Sequence, residues 1–377
     1  MSSRVHNLQA RRGAACLLVL IYHLAQLEPL TGADVSRHVL RPMIHFGFAG
    51  VDLFFVLSGF VITWVHADLL GDRSKLAGYL GRRFWRIFPV FWVCWSLSAA
   101  AYIMGLGRPW PHDGWRLARQ LFLIPSVEFN PFLAPAWTLT MEVMFYLTFA
   151  VLFLAPRRAC LPILGLWFCA VVAAVAAGGP GVFDEYGKPG RFAAWFLYPN
   201  VVEFVLGCFA AAAVRAGRDG WGRTCLALGV AGFAAAGVAT WAGYGNIINP
   251  HAGRVALFGL PSALIMYGLV ASERAHGWVL PRWLQVVGDA SYAIYLVHHP
   301  VFQVLFATLF GRFGVTGPRH LHWVYWLAVP ALGVGFLVHY AVERPLLRLA
   351  HRRRPVAPAR ATIIPISIPA FGGRRAA

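Results

Sequence analysis

An arginine and a histidine, Arg12 and His23, stand eleven residues apart in the otherwise apolar stretch "RRGAACLLVLIYHLAQ". On a helix that spacing leaves about 20° after three full turns, so both side chains face one way, with a rise of about 16 Å between them. Ionisable groups in an apolar segment are expensive and mark either a function or a partner. A neutral imidazole accepts a proton near neutral pH, which is what a general base must do. A histidine hydrogen-bonded between helices for packing alone fits the same pattern. In "RRFWRIFPVFW", Arg83 and Arg86 share one face of a helical turn, with Arg82 beside them. Two neighbouring guanidinium groups make a phosphate clamp, although topology alone also places arginines at such a position.

The remaining polar residues supply possible partners. Asp52 and Ser58 lie in "GVDLFFVLSGF". Asp52 is expected to orient or charge-pair a neighbour, and Ser58-Gly59 to permit close helix packing. Glu142, in "WTLTMEVMFY", is expected about 12 Å deep, level with His23, where a carboxylate would raise the basicity of the imidazole and fix its tautomer. The pair could equally be structural. Glu203 is a weaker candidate, because nothing else marks its segment. "SYAIYLVHHP" brings Ser291, Tyr292, Tyr295 and His298 into the apolar interior. Asp289 and Glu343 are expected to pair with nearby arginines. Together these positions describe an arginine cluster at one mouth, a polar channel, and a base with a carboxylate near mid-depth. Arginines that hold nucleotide phosphates, and an acyl-carrying arm of about 15 Å reaching His23, fit the shape of coenzyme A.

Positioning these residues falls to a membrane. Of 377 residues, 59% are hydrophobic and only 13% charged, about half the charge of a soluble domain. Ten runs are long and apolar enough to span a bilayer: 13–30, 46–66, 84–104, 134–155, 159–177, 194–214, 224–242, 254–271, 288–310 and 323–343. The fold class expected is therefore all-α, a polytopic transmembrane helix bundle. With the N-terminus inside, the inner segments carry 23 Lys/Arg and the outer loops 10, so both termini are expected in the cytoplasm. The net charge of +18 is thus a topology signal that needs no nucleic acid as partner.

The basic-then-apolar N-terminus has no small-x-small cleavage site before Pro29 and reads as a retained first span. Six cysteines show no metal-ligand or redox-pair spacing, so no metal is expected. The outer loop 105–133, with Pro109, Trp110, Pro111, Trp115 and Asn130, is expected to anchor at the membrane surface or to meet an external substrate. Residues 1–350 read as one membrane-embedded domain. Residues 351–377 read as an Arg/Pro-rich cytoplasmic tail, disordered and drawn to anionic headgroups.

The same residues resemble the membrane-bound acyltransferase 3 family, whose members acylate sugars of surface and exported polysaccharides. Arg-x10-His (Arg12, His23), "GVDLFFVLSGF", Arg-x-x-Arg (Arg83, Arg86), "WTLTMEVMFY", "SYAIYLVHHP" and a terminal Glu-x-Pro (Glu343, Pro345) occur in order across about 340 residues. The resemblance implies that His23 is catalytic, a general base for an acceptor hydroxyl, and that Arg12, Arg83 and Arg86 hold the phosphates of an acyl-coenzyme A donor. It implies that Glu142 supports His23, while Tyr292 or Ser291 is the expected oxyanion donor. It further implies acetyl-coenzyme A as donor, a polysaccharide or lipid-linked sugar as acceptor, and residence in a bacterial cytoplasmic membrane. Some members carry an appended extracytoplasmic esterase-like domain. None is visible in this sequence, so a second transfer step on the same polypeptide is not expected. Two rival readings remain at this point: a transporter of an acyl group or lipid-linked sugar, and a non-catalytic subunit of a polysaccharide export machine.

Overall fold

The computed structural model describes residues 6–27, 46–104, 114–125, 132–177, 192–242, 251–312 and 321–352, and these are helical, with no strand among them. Pro109, Trp110, Pro111 and Asn130 of the long loop, and the tail beyond residue 352, lie outside the described residues. In chain order the α-helices are α1 (His6–Ala25), α2 (Gly50–His66), α3 (Leu76–Ile103), α4 (Gly114–Leu121) and α5 (Ala136–Ala150). Then follow α6 (Cys160–Ala176), α7 (Val201–Arg215), α8 (Gly222–Trp241), α9 (His251–Arg254), α10 (Leu260–His276) and α11 (Arg282–Asp289). The series closes with α12 (Ser291–Phe306), α13 (Leu321–Trp326), α14 (Ala328–Val338) and α15 (Arg344–Arg352).

Among the described residues, eight helical segments are long and apolar enough to cross a membrane. They are Gly47–Leu69, Arg73–Ile103, Ala136–Phe153, Arg157–Ala176, Gly222–Trp241, Val255–His276, Ser291–Leu309 and Val324–Ala350. This is the helix set of a multi-pass membrane protein. Two of the ten expected spans are not among the eight, and both have local causes. The first, α1, is 20 residues long but carries Arg11 and Arg12, and it ends at Ala25 rather than near residue 30. The sixth is broken: a 3₁₀ segment over Phe192–Leu197 is separated from α7 by Tyr198, Pro199 and Asn200, leaving α7 only 15 residues. Proline lacks the backbone N–H that would have continued the ladder.

Glycines set how the helices cross. A Cβ on Gly59 would sit 1.9 Å from the Phe204 carbonyl oxygen, and one on Gly207 would sit 2.0 Å from that of Val56, so α2 and α7 meet backbone to backbone. The α1–α11 crossing has the same reciprocity, with Gly13 against the Leu284 oxygen at 2.2 Å and Gly288 against the Gln9 oxygen at 1.8 Å. A Cβ on Gly50 would sit 2.4 Å from the Ala15 oxygen, so α2 also crosses α1 closely there. Small residues that let backbones approach are the usual source of contact where lipid tails remove the hydrophobic drive between helices.

The start of α1 is also tied down by polar bonds. The Glu273 carboxylate accepts the free backbone N–H groups of His6 at 2.7 Å and Asn7 at 2.9 Å, a cap supplied by a different helix. Asn7 Nδ2 donates to the Trp278 carbonyl at 2.9 Å, and its Oδ1 accepts from Leu280 N at 2.8 Å. One turn on, Arg11 Nη2 donates to the Ser262 carbonyl at 3.0 Å. Arg12 is thus carried on a helix whose first turns are fixed from outside.

Alanine at Gly288 or Gly207 is expected to force apart a backbone crossing and cost at least the 1–3 kcal/mol or so of an overpacked core. Alanine at Gly165, whose added Cβ would meet nothing within 4 Å, is expected to be neutral or mildly stabilising. Thermal unfolding in detergent should show a clear fall in Tm for the first two and none for the third.

Candidate active site

Helices α1, α2, α3, α5, α12 and the segment before α15 bring their polar residues to one place. Arg86 Nη1 donates to Glu343 Oε1 at 2.6 Å, and the other oxygen of Glu343 meets His339 Nδ1 at 2.7 Å. The Arg86 guanidinium also lies over the Tyr292 ring, 5.1 Å from its centroid. Arg83 packs over Tyr146 at 5.2 Å and Tyr79 at 5.8 Å. Tyr146 donates to Glu142 Oε1, which also accepts from Ser58 Oγ at 3.1 Å. Arg12 lies within electrostatic range of Arg86, Glu142 and Glu343. The three arginines expected to act together therefore do converge, with two carboxylates among them.

The turn that presents Glu343 has a local origin. His339–Glu343 forms a π-helical turn directly before Arg344-Pro345. A proline ring clashes with the carbonyl four residues back and offers no N–H to it, and a widened turn relieves both problems. His339 and Glu343, four apart, then face the same way. The pairing of Glu343 with an arginine was legible from sequence; which arginine was not.

A cavity of about 60 Å³ opens inside this cluster, lined on its polar side by Arg12, Ser58, Thr138, Glu142, Ser291, Tyr292 and Tyr295, and on its apolar side by residues including Phe54, Phe55 and Leu139. That is room for a few water molecules. Arg12 Nε, Arg83 Nε and Ser291 Oγ are buried without a hydrogen-bond partner among the described residues. Buried donors without partners are costly, so they mark where a ligand's acceptors would be welcome. Tyr292 is different, because its hydroxyl already donates to the Ile87 carbonyl at 2.8 Å. Of the two expected oxyanion donors, only Ser291 keeps its hydroxyl uncommitted.

His23 lies at the other end of α1, in its last turn. Its Nδ1 is 2.9 Å from the Val19 carbonyl and 3.2 Å from Nε2 of His298, and the two rings are 5.0 Å apart. His299 stands edge-on to His23 at 5.7 Å. Tyr295 joins the two regions: it lines the cavity, bonds Thr138 Oγ1 at 2.7 Å, and packs against His298 at 5.7 Å.

Two expectations are corrected. Glu142 does not stand beside His23; it belongs to the Arg12 end of the cluster. Glu142 lines the cavity with Arg12, whereas His23 lies in the last turn of α1, eleven residues and about 16 Å further along that helix. Asp52 pairs with a neighbour as expected, away from the cavity. It is fully buried and takes a bidentate pair from Arg254, Nε to Oδ1 at 2.9 Å and Nη2 to Oδ2 at 2.7 Å, with Glu203 nearby on Asn200 Nδ2 at 2.9 Å. Six residues separate Asp52 from Ser58, about 120° around the helix, so the two face different neighbours. Ser58 in turn had been assigned to packing, and the structure makes it a partner of Glu142 while Gly59 does the packing. Tyr146 was also missed, although its position four residues after Glu142 is a visible signal.

Comparison with known proteins follows the same outline. A family described as an acyltransferase domain matches residues 5–339. The chain is 31% identical to "Acyltransferase MdmB" of Streptomyces mycarofaciens, over 94% of this chain and 95% of the relative. It is 30% identical to "Exopolysaccharide production protein ExoZ" of Rhizobium meliloti, over 82% and 93% respectively. To "Nodulation protein 10" of Rhizobium leguminosarum bv. viciae it is 26% identical, over 85% and 86%. No solved structure matches significantly.

The Asp52–Arg254 pair generates a double-mutant test. Removing either partner leaves a buried charge alone and is expected to cost about 3–5 kcal/mol, whereas an apolar replacement of both is expected to cost far less. Melting curves for Asp52→Leu, Arg254→Leu and the double variant should show the double above either single. A double variant as damaged as the sum of the singles would contradict a pairwise structural role.

Proposed function

The chain belongs to the acyltransferase-domain family, and from that premise we propose that it transfers an acetyl group from acetyl-coenzyme A to a sugar hydroxyl of a surface or exported polysaccharide. It is an acyltransferase of the non-aminoacyl class. The observation that carries the reading is the layout of α1, with an arginine cluster holding buried, unpartnered donors at one end and a histidine at the other. The rise of about 16 Å between Arg12 and His23 suits a long thin arm anchored by phosphates. A sugar polymer as acceptor is supported by the name of the exopolysaccharide production protein, to which this chain is 30% identical.

Arginine's planar fork binds phosphate oxygens in pairs, and Arg12 and Arg83 have donor capacity to offer. His23 takes the proton of the acceptor hydroxyl as that oxygen attacks the thioester carbonyl. The oxygen–carbon bond forms, the carbon–sulfur bond breaks, and the departing thiolate recovers the proton. Ser291, in the cavity beside Arg12 and about 10 Å along α12 from His298, lies too far from His23 to meet the oxyanion, and its uncommitted hydroxyl is offered to the donor arm instead. In this reading the protein lies in a bacterial cytoplasmic membrane, with ten crossings and both termini on the cytoplasmic face. The arginine end of α1 then faces the cytoplasm, where the donor is found, consistent with the excess of basic residues on that side.

Labelled acetate transferred from acetyl-coenzyme A into cell-surface glycan, at matched membrane abundance, tests the assignment. His23→Ala is expected to reduce incorporation by about 10²-fold or more. Arg83→Ala or Arg12→Ala is expected to raise the KM for donor by about tenfold, with a smaller effect on kcat. Equal incorporation by wild type and His23→Ala would sink the catalytic assignment of His23.

A further inference from the structure

The protonation pattern of the two facing histidines follows from their neighbours. A carbonyl oxygen only accepts hydrogen bonds, so His23 Nδ1, 2.9 Å from the Val19 oxygen, carries a proton. By the same argument His298 Nδ1, 3.2 Å from the Ile294 oxygen, carries one too. A neutral His298 then has its lone pair on Nε2, and that atom is 3.2 Å from the protonated Nδ1 of His23. The His23 N–H is therefore shared between a carbonyl and an imidazole lone pair. The free lone pair of His23 is left on Nε2, which has no hydrogen-bond partner among the described residues.

His298 is well placed to act as a fixed reference for the other ring. It is 1% exposed and held between Tyr295 and Phe302, each 5.7 Å away by ring centroid. Among the described residues, neither imidazole is hydrogen-bonded to a carboxylate. Nucleophile–base–orienter arrangements need a third group that accepts from the far side of the base. The sequence pointed to Glu142 for that duty, and the structure puts an imidazole there.

We propose that His298 is the positioning residue of this acyltransferase: its Nε2 accepts the Nδ1 proton of His23, holds the ring in the tautomer that presents Nε2 as the base, and bonds more strongly as His23 becomes imidazolium. The proposal rests on His23 being the base. The proton taken from the acceptor hydroxyl stays on His23 Nε2 until the thiolate leaves, and the Nδ1 proton remains shared with His298 throughout. His299, edge-on to His23, closes the site from a different direction.

The test uses the full chain in membrane vesicles, with labelled acetyl-coenzyme A and the endogenous glycan as acceptor. His298→Leu keeps the bulk and removes the acceptor; its kcat is expected to fall by about 10²-fold with the donor KM within about twofold of wild type. His298→Gln places an amide oxygen near the Nε2 position and is expected to recover at least about a tenth of wild-type kcat, while the shorter His298→Asn stays near the Leu value. Wild-type kcat in His298→Leu, or a Gln variant as inactive as Leu at equal Tm, overturns the proposal. A further measurement does not depend on the variants folding. The ¹⁵N spectrum of histidine-labelled wild type should show both rings as Nδ1–H tautomers, and an Nε2–H signal from either neutral ring overturns the proposal. Full activity in His23→Ala is a separate result, because it removes the base itself rather than its support.

Discussion

The arrangement depends on how three guanidinium groups are accommodated among apolar helices. Arginine stays charged at any ordinary pH, so its charge must be met where it stands. Glu343 meets Arg86 directly at 2.6 Å, Glu142 reaches Arg83 through Tyr146, and both carboxylates act on Arg12 at longer range. Three positive charges against two negative leave the cluster electropositive, and two of its Nε–H groups have no partner among the described residues. That imbalance would be a defect in a purely structural network, where a half-satisfied set of buried groups is worse than an apolar core. In the reading proposed above, where this mouth receives phosphates, it is the condition for binding.

What the sequence revealed, and what it hid, divides by the range of the interaction. The common facing of Arg12 and His23 comes from helical period alone, which is why it could be read directly. So could the shared direction of Arg83 and Arg86. The error over Glu142 came from depth, which depends on where helices end and cross, and neither is encoded by spacing within one segment. Glu142 arrives at the Arg12 end of α1, and His23, about 16 Å along the same helix, meets a pair of imidazoles instead. Asp52 was correctly expected to pair with a neighbour, yet its partner Arg254 is some two hundred positions away and no local rule connects them.

Prolines explain much of the remaining irregularity. Pro345 follows the π turn that turns Glu343 toward Arg86, and Pro261 follows a second π turn, Val255–Gly259, just after Arg254 turns toward Asp52. Pro199 divides the sixth apolar run, and Asn200 at that break holds Glu203. In each case a missing backbone donor disturbs the helix within a turn or two of a charged side chain. Runs of uniform hydropathy conceal such breaks, so span counting reads a broken helix as a continuous one.

The glycine contacts bear on how the small cavity can enlarge. Its walls come from α1, α2, α5 and α12. Gly50 clasps α2 to α1, Gly59 and Gly207 clasp α2 to α7, Gly13 and Gly288 clasp α1 to α11, and Gly335 is pressed into Ile294 of α12. Helix α5 has no glycine and touches the cavity only through Thr138, Leu139 and Glu142. Compliance is thus unequally distributed: three sides are stiff and one can yield. A guest for which the cavity must widen would make its room on the α5 side, the side that no glycine crossing holds.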